Sequence, residues 1–73
     1  MSALVLGNRL KEHRARCGLT QAQLAAQVGV TRKTINTVEN RVFTPSTLLA
    51  LKLAKTLDTS VEEVFFLADQ SPE

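Results

Sequence analysis

The chain has 73 residues, of which 44% are hydrophobic, and a formal net charge of +2. This length allows one small domain, whose core is marginal enough that association of two copies is expected, and the composition is that of a globular protein. The chain lacks the roughly 20 consecutive apolar residues of a membrane span and any signal-peptide pattern, and one cysteine cannot form an internal disulfide, so we expect a cytoplasmic protein.

Charge is unevenly distributed along the chain. Residues 1–41 contain seven basic and two acidic side chains, whereas residues 42–73 contain two basic and five acidic ones. The two parts therefore carry formal charges of +5 and −3. A basic region of this kind suits contact with a polyanion. We therefore expect a functional surface in the N-terminal part.

Helix-start and helix-stop signals predict five helices joined by short connections. Counted with their capping residues, they span about residues 8–17, 20–28, 31–40, 46–57 and 60–66. Thr20 with Gln23, and Ser60 with Glu63, have the spacing of capping boxes, in which each side chain satisfies a backbone amide at the helix start. Asp58 is expected to take the left-handed conformation that ends the fourth helix.

The two ends of the chain leave two alternatives open. Residues 3–6 (ALVL) and 65–68 (FFLA) are short apolar runs rich in strand formers, so they either pair as a small two-stranded antiparallel sheet or form frayed helix ends. The tail, about residues 69–73, is predicted to be disordered. The expected fold is thus one all-α domain over residues 1–73, possibly with that sheet.

The stretch QAQLAAQVGVTRKTINTVEN, residues 21–40, places its apolar residues on one face of two short helices with Gly29 between them. Two helices joined by a tight turn require this pattern. The outward positions of the second helix repeat at helical spacing and form one stripe. Each member of the stripe is a hydrogen-bond donor and none is a carboxylate: Arg32, Lys33, Asn36, Thr37 and Asn40.

This stretch resembles the helix-turn-helix of the phage-repressor-like (XRE) family, and PSTLLALKLAKTLDTSVEEVF resembles the rest of a short subgroup of those repressors. The resemblance covers about residues 8–67. It implies a lambda-repressor-like five-helix bundle and a sequence-specific regulator that binds double-stranded DNA. A repressor acting as a homodimer on a near-palindromic operator is expected.

The resemblance also implies roles for individual residues. Base contacts are expected from four positions of the recognition helix: Arg32, Lys33, Asn36 and Thr37. Phosphate contacts, which position the protein without reading sequence, are expected from Gln21, Thr31, Asn40 and Arg41. Arg14 and Glu39 match a salt bridge between the first and third helices, and pairing would keep the carboxylate from repelling phosphate.

A dimer surface is expected in the C-terminal part, because the basic part is assigned to DNA. The candidate residues are Leu48, Val64, Phe65, Phe66 and Leu67. Leu48 replaces a charged residue of the subgroup, so it is either a dimer contact or a tolerated surface leucine.

One departure from the family pattern concerns the end of the third helix. The family often has Gly and Lys where this chain has Arg41 and Val42. Without the glycine, Asn40 or Arg41 must take a left-handed conformation or another cap.

A protein-interaction module, such as an antitoxin that binds a protein partner, is the alternative function. The donor-only stripe favours DNA, because a protein interface does not need it. We expect no enzyme, since the sequence has no catalytic set. We expect no cofactor and no metal, because His13 has no second ligand in view.

Overall fold

The computed structural model describes residues 3–69. Five helices and two strands follow one another in the order β1 (Leu4–Asn8), α1 (Leu10–Arg16), α2 (Gln21–Val28), α3 (Arg32–Glu39), α4 (Thr47–Thr56), α5 (Val61–Val64) and β2 (Phe65–Asp69). The predicted five-helix architecture is confirmed, with the sheet as the correct alternative for the two ends. Asp69 closes β2, and the rest of the predicted tail, residues 70–73, lies outside the described range.

The two strands are antiparallel, with Gly7 opposite Phe66 and Leu6 opposite Leu67. The Phe66 ring lies across Gly7, where a Cβ atom would come within 2.5 Å of the ring. Arg9 covers the same ring, with its guanidinium carbon 4.3 Å from the ring centroid. The sheet therefore has an aromatic side chain between a glycine and a cation, an arrangement that holds its register.

Strand pairing shortens the first and fifth helices relative to the prediction. The helix expected to begin at about Asn8 begins at Leu10, because Asn8 belongs to β1 and its Oδ1 accepts the Leu10 amide at 3.1 Å. The helix expected to continue to about residue 66 ends at Val64, because Phe65 enters β2. Cross-strand hydrogen bonds then replace those of a further helical turn.

The core is built from the apolar faces of all five helices together with Phe65. Its largest fully buried side chains are Leu10, Leu24, Ile35, Val38, Leu53 and Val64. Each such side chain contributes roughly 1.5–3 kcal/mol by leaving water. Asn8 also connects the sheet to this core, since its Nδ2 donates to the Val38 carbonyl at 2.9 Å.

Side-chain caps fix the helix starts. Thr20 and Gln23 form the predicted capping box, with the Gln23 amide donating to Thr20 Oγ1 at 3.1 Å and the Thr20 amide donating to Gln23 Oε1 at 2.8 Å. Ser60 Oγ accepts the Glu63 amide at 3.2 Å. That is half of the second predicted box, and within residues 3–69 the reciprocal bond from the Glu63 side chain is not formed.

Four helices are followed by a residue in the left-handed region. Gly18, Gly29, Arg41 and Asp58 follow α1, α2, α3 and α4 with φ of 69°, 76°, 60° and 55°. The conformation predicted for Asp58 is confirmed. Without a glycine at this place, Asn40 or Arg41 was expected to take a left-handed conformation or another cap, and Arg41 takes the left-handed conformation.

Candidate nucleic-acid interface

Helices α2 and α3 form a helix-turn-helix. Gly29, with φ of 76°, ends α2 in the left-handed region, and the Val30 amide donates back to the Ala25 carbonyl at 3.0 Å. Thr31 then caps α3, its Oγ1 accepting the Thr34 amide at 3.3 Å. Because the inner faces of both helices belong to the one core cluster, the outer face of α3 has a fixed direction.

Arg32 and Lys33 occupy the first turn of α3 and are exposed. Neither side chain has a hydrogen-bond or ion-pair partner among residues 3–69. Cations at this end oppose the helix dipole and destabilise a helix by about 0.3–1 kcal/mol each. Two unpaired cations in a locally unfavourable position indicate a surface kept for an external anion.

The next turn of the stripe is already hydrogen-bonded. Asn40 Nδ2 donates to the Asn36 carbonyl at 2.9 Å and to Asn36 Oδ1 at 3.3 Å. Thr37 Oγ1 donates to the Thr34 carbonyl at 2.9 Å. Asn36 keeps its own Nδ2 donors, whereas Thr37 can offer a base only its methyl group and hydroxyl lone pairs.

Glu39 lies at the inner edge of the stripe and is fully paired. The Arg14 guanidinium donates two hydrogen bonds to the Glu39 carboxylate, from Nε to Oε2 at 2.7 Å and from Nη2 to Oε1 at 3.2 Å. The two side chains are only 13% and 5% exposed. Arg14 Nη1 also donates to the Leu19 carbonyl at 2.9 Å, which fixes the guanidinium from its other side. Glu39, an acid beside the stripe, therefore presents no free charge.

Gln21 is the first residue of α2, and its side chain reaches the same carboxylate. Its Nε2 donates to Glu39 Oε1 at 3.0 Å. The backbone amide of a first helical residue has no partner within the helix. Gln21 thus combines a fixed side-chain amide with a backbone donor beside α3.

Arg41 takes the position after α3 where glycine is usual. Its amide donates to the Val38 carbonyl at 3.1 Å, and the Val42 amide donates to the Thr37 carbonyl at 2.9 Å. These are the two bonds of a Schellman motif. A residue with a Cβ is strained there by roughly 1–2 kcal/mol. Arg41 is exposed and follows Asn40, the last residue of the stripe, in the chain.

The residues expected at a dimer surface divide into two groups. Leu48 and Leu67 are 63% and 70% exposed, and Phe66 is half-buried against Gly7. Val64 and Phe65 are 0% and 7% exposed, with their side chains in the core of their own chain. This corrects the expectation that these two side chains are presented to a second copy.

Sequence reasoning missed an apolar groove between α4, α5 and the sheet. The groove has a volume of about 350 Å³ and is lined mainly by Leu6, Pro45, Ala50, Leu51, Val61 and Phe65. Leu51, at its edge, is 54% exposed. Helical spacing gave a signal, since Leu51 follows Leu48 by three residues and adjoins it on the exposed side of α4. Leu48 itself does not line this groove; it lines a separate cavity with Val30 and Phe43.

None of the helices within residues 3–69 has the length and hydrophobicity needed to cross a bilayer.

The comparisons with known proteins agree with this geometry. A family model described as Helix-turn-helix matches residues 10–64. The HTH-type transcriptional regulator YgzD of Bacillus subtilis (strain 168) is 44% identical over 64 residues, which cover 88% of this chain and 97% of that protein.

Solved structures of other proteins are also similar to this chain. The restriction-modification controller protein C.AhdI from Aeromonas hydrophila superposes with a TM-score of 0.71 and 38% sequence identity, covering 75% of this chain and 80% of that one. SinR, a master regulator for biofilm formation solved in complex with DNA, superposes with a TM-score of 0.69 and 29% identity, covering 74% of this chain and 87% of that one.

Proposed function

The chain belongs to the XRE-type helix-turn-helix family and is a DNA-binding transcriptional regulator, and from that premise we propose that it acts in the cytoplasm as a repressor, bound as a homodimer to a near-palindromic operator. Each copy inserts the start of α3 into the major groove. Arg32, Lys33, Asn36 and Thr37 contact base edges, and Gln21, Thr31, Asn40 and Arg41 contact phosphates. No enzymatic activity is part of the proposal.

The observation that carries the proposal is the pair of unpartnered cations in the first turn of α3. Arg32 and Lys33 oppose the helix dipole and are exposed. Both can donate to the guanine acceptors O6 and N7 in the major groove. A surface made for another protein has no need of a stripe without any carboxylate in which every residue type carries a donor.

A salt titration of duplex binding tests DNA recognition directly. In filter binding or a gel shift, the logarithm of the association constant is expected to fall with the logarithm of salt concentration, by about 0.9 per phosphate contact. Selection from random duplexes is then expected to yield two related half-sites about 34 Å apart. If the chain binds no duplex in a salt-dependent way, the proposal is refuted and a protein partner becomes the leading explanation.

We assign dimerisation to the apolar groove and its edge. The occupant is a second copy, because the groove lies far along the chain from the basic stripe and the cavity beside it carries charges of both signs. Lys55 and Glu62 are exposed and line one cavity beside the groove. In a two-fold symmetric pair, Lys55 of one copy can face Glu62 of the other. The exposed Leu51 and Leu67 then become buried.

Two leucines of α4 make a matched test of this surface. Leu51→Lys is expected to weaken dimerisation by at least about 30-fold, the effect of losing an interface hot spot, whereas Leu48→Lys should leave it unchanged. Sedimentation equilibrium at micromolar concentration measures both. The opposite ranking would assign the dimer surface to Leu48, and a monomeric unsubstituted chain would reject the two-half-site model.

A further inference from the structure

Glu39 holds two side chains from two different helices. Its Oε1 accepts hydrogen bonds from Gln21 Nε2 at 3.0 Å and from Arg14 Nη2 at 3.2 Å. Its Oε2 accepts from Arg14 Nε at 2.7 Å. One carboxylate on α3 therefore fixes a guanidinium on α1 and an amide on α2 together.

We propose that Glu39 is a positioning residue for Gln21, holding the side-chain amide in the orientation that contacts a DNA phosphate. The inference rests on the proposed function, which assigns the phosphate contact to Gln21. Glu39 itself does not touch DNA, because it is only 5% exposed and both of its oxygens are occupied.

The hydrogen-bond inventory of Gln21 permits both contacts. A side-chain amide nitrogen carries two hydrogens, so Nε2 donates one to Glu39 and retains one. The backbone N–H at the first position of α2 is not used within the helix. A phosphate oxygen near this helix start thus meets two donors, one of which Glu39 has already oriented.

Holding the side chain in advance raises affinity. Glutamine is among the side chains that lose most rotamer entropy when they are fixed. In this chain that loss occurs on folding rather than on DNA binding, which corresponds to an affinity gain of about tenfold.

Arg14 makes the arrangement compatible with a polyanion. An unpaired carboxylate at this place would repel the phosphate that Gln21 contacts. The guanidinium is itself fixed by the Leu19 carbonyl, 2.9 Å from Nη1. The ion pair therefore orients Gln21 without adding net charge to the surface.

A double-mutant cycle, measured as affinity for a random-sequence duplex, distinguishes two roles of Glu39. One is to position the Gln21 side chain, and the other is only to stabilise the fold. The combined change Arg14→Met with Glu39→Met replaces the buried ion pair by apolar side chains, a replacement that proteins often tolerate, and leaves the net charge unchanged. It removes the acceptor that holds Gln21. The same pair of changes is also made together with Gln21→Ala.

The expected result is non-additive. Replacing the ion pair weakens binding to the random duplex about tenfold when Gln21 is present, and less than twofold in the Gln21→Ala background. Equal losses in both backgrounds, with all variants folded, would overturn the proposal. If the methionine pair does not fold, Glu39→Asp takes its place, since the shorter carboxylate keeps its charge and withdraws from Gln21.

A second measurement needs no DNA. Gln27 lies on the same helix, is exposed and has no side-chain hydrogen bond among residues 3–69, so it is the matched control. ¹⁵N relaxation should show a more ordered side-chain amide for Gln21 than for Gln27, and this difference should disappear in the methionine variant. Equal mobility in the unsubstituted protein overturns the positioning role. Absence of duplex binding would reject only the proposed function, because the relaxation result is independent of it.

Discussion

The polar residues of the proposed DNA surface divide into a braced group, whose side chains have partners within the chain, and a free group. Gln21, Asn36 and Asn40 have hydrogen-bond partners within the chain. Arg32 and Lys33 have none among residues 3–69. The braced amides lose their rotamer freedom when the chain folds, whereas the free cations lose it only when a ligand binds.

Substitutions in the two groups should have different effects. Changing a braced group or the ion pair beneath it alters folding stability and DNA binding together. Changing a free cation of α3 weakens binding without lowering stability, because it relieves an unfavourable interaction with the helix dipole. Stability and affinity measured side by side therefore test the division.

The largest effect is expected on the braced side, from Arg14→Ala. This change leaves the Glu39 carboxylate, 5% exposed, without its cation. Breaking a buried pair in this way destabilises a protein by about 3–5 kcal/mol, a large share of the stability of a small domain. Urea unfolding measures the loss. Arg16→Ala is the control, since Arg16 is exposed on the same helix and should change stability by less than about 0.5 kcal/mol. Similar losses of stability in the two variants would mean that the paired Arg14 contributes no more to folding than the exposed Arg16.

An intermediate effect is expected on the free side, from Lys33→Ala. Discrimination between the operator and a site altered at one base pair should fall by about 1–3 kcal/mol. Stability to urea should stay the same or rise, because the lysine opposes the helix dipole. Gln21→Ala is the matched comparison and should weaken operator and random duplex alike. If Lys33→Ala lowers both affinities equally, Lys33 contacts phosphate and its assignment to base readout is wrong.

Local features of the fold were predictable from the sequence. The Thr20–Gln23 capping box and the left-handed Asp58 depend on residues close together in the chain, so propensity and spacing were sufficient. The Arg14–Glu39 pair was predicted from the family resemblance, with support from the need to neutralise an acid near the proposed DNA surface. Its two partners are 25 positions apart.

Other features depended on tertiary geometry. The Gln21–Glu39 bond joins residues 18 positions apart and exists only at one angle between α2 and α3. Phe65 and Phe66 were both assigned to a dimer surface because the basic part of the chain was assigned to DNA. Once β2 begins at Phe65, neighbouring side chains point to opposite faces, and Phe65 turns into the core.

The smallest effect is expected at Arg41, which follows α3 and has a strained left-handed backbone. Arg41→Gly removes the penalty of a left-handed residue with a Cβ but adds chain entropy to the unfolded state, so we expect a net stabilisation of about 0.5–1 kcal/mol. The salt dependence of duplex binding should fall by about one phosphate contact.

Asp58→Gly is the control, because Asp58 ends α4 in the same motif with φ of 55° and has no proposed contact with DNA. It should stabilise the chain similarly and leave the salt dependence unchanged. An unaltered salt dependence in Arg41→Gly would mean that the strain at Arg41 does not serve DNA binding.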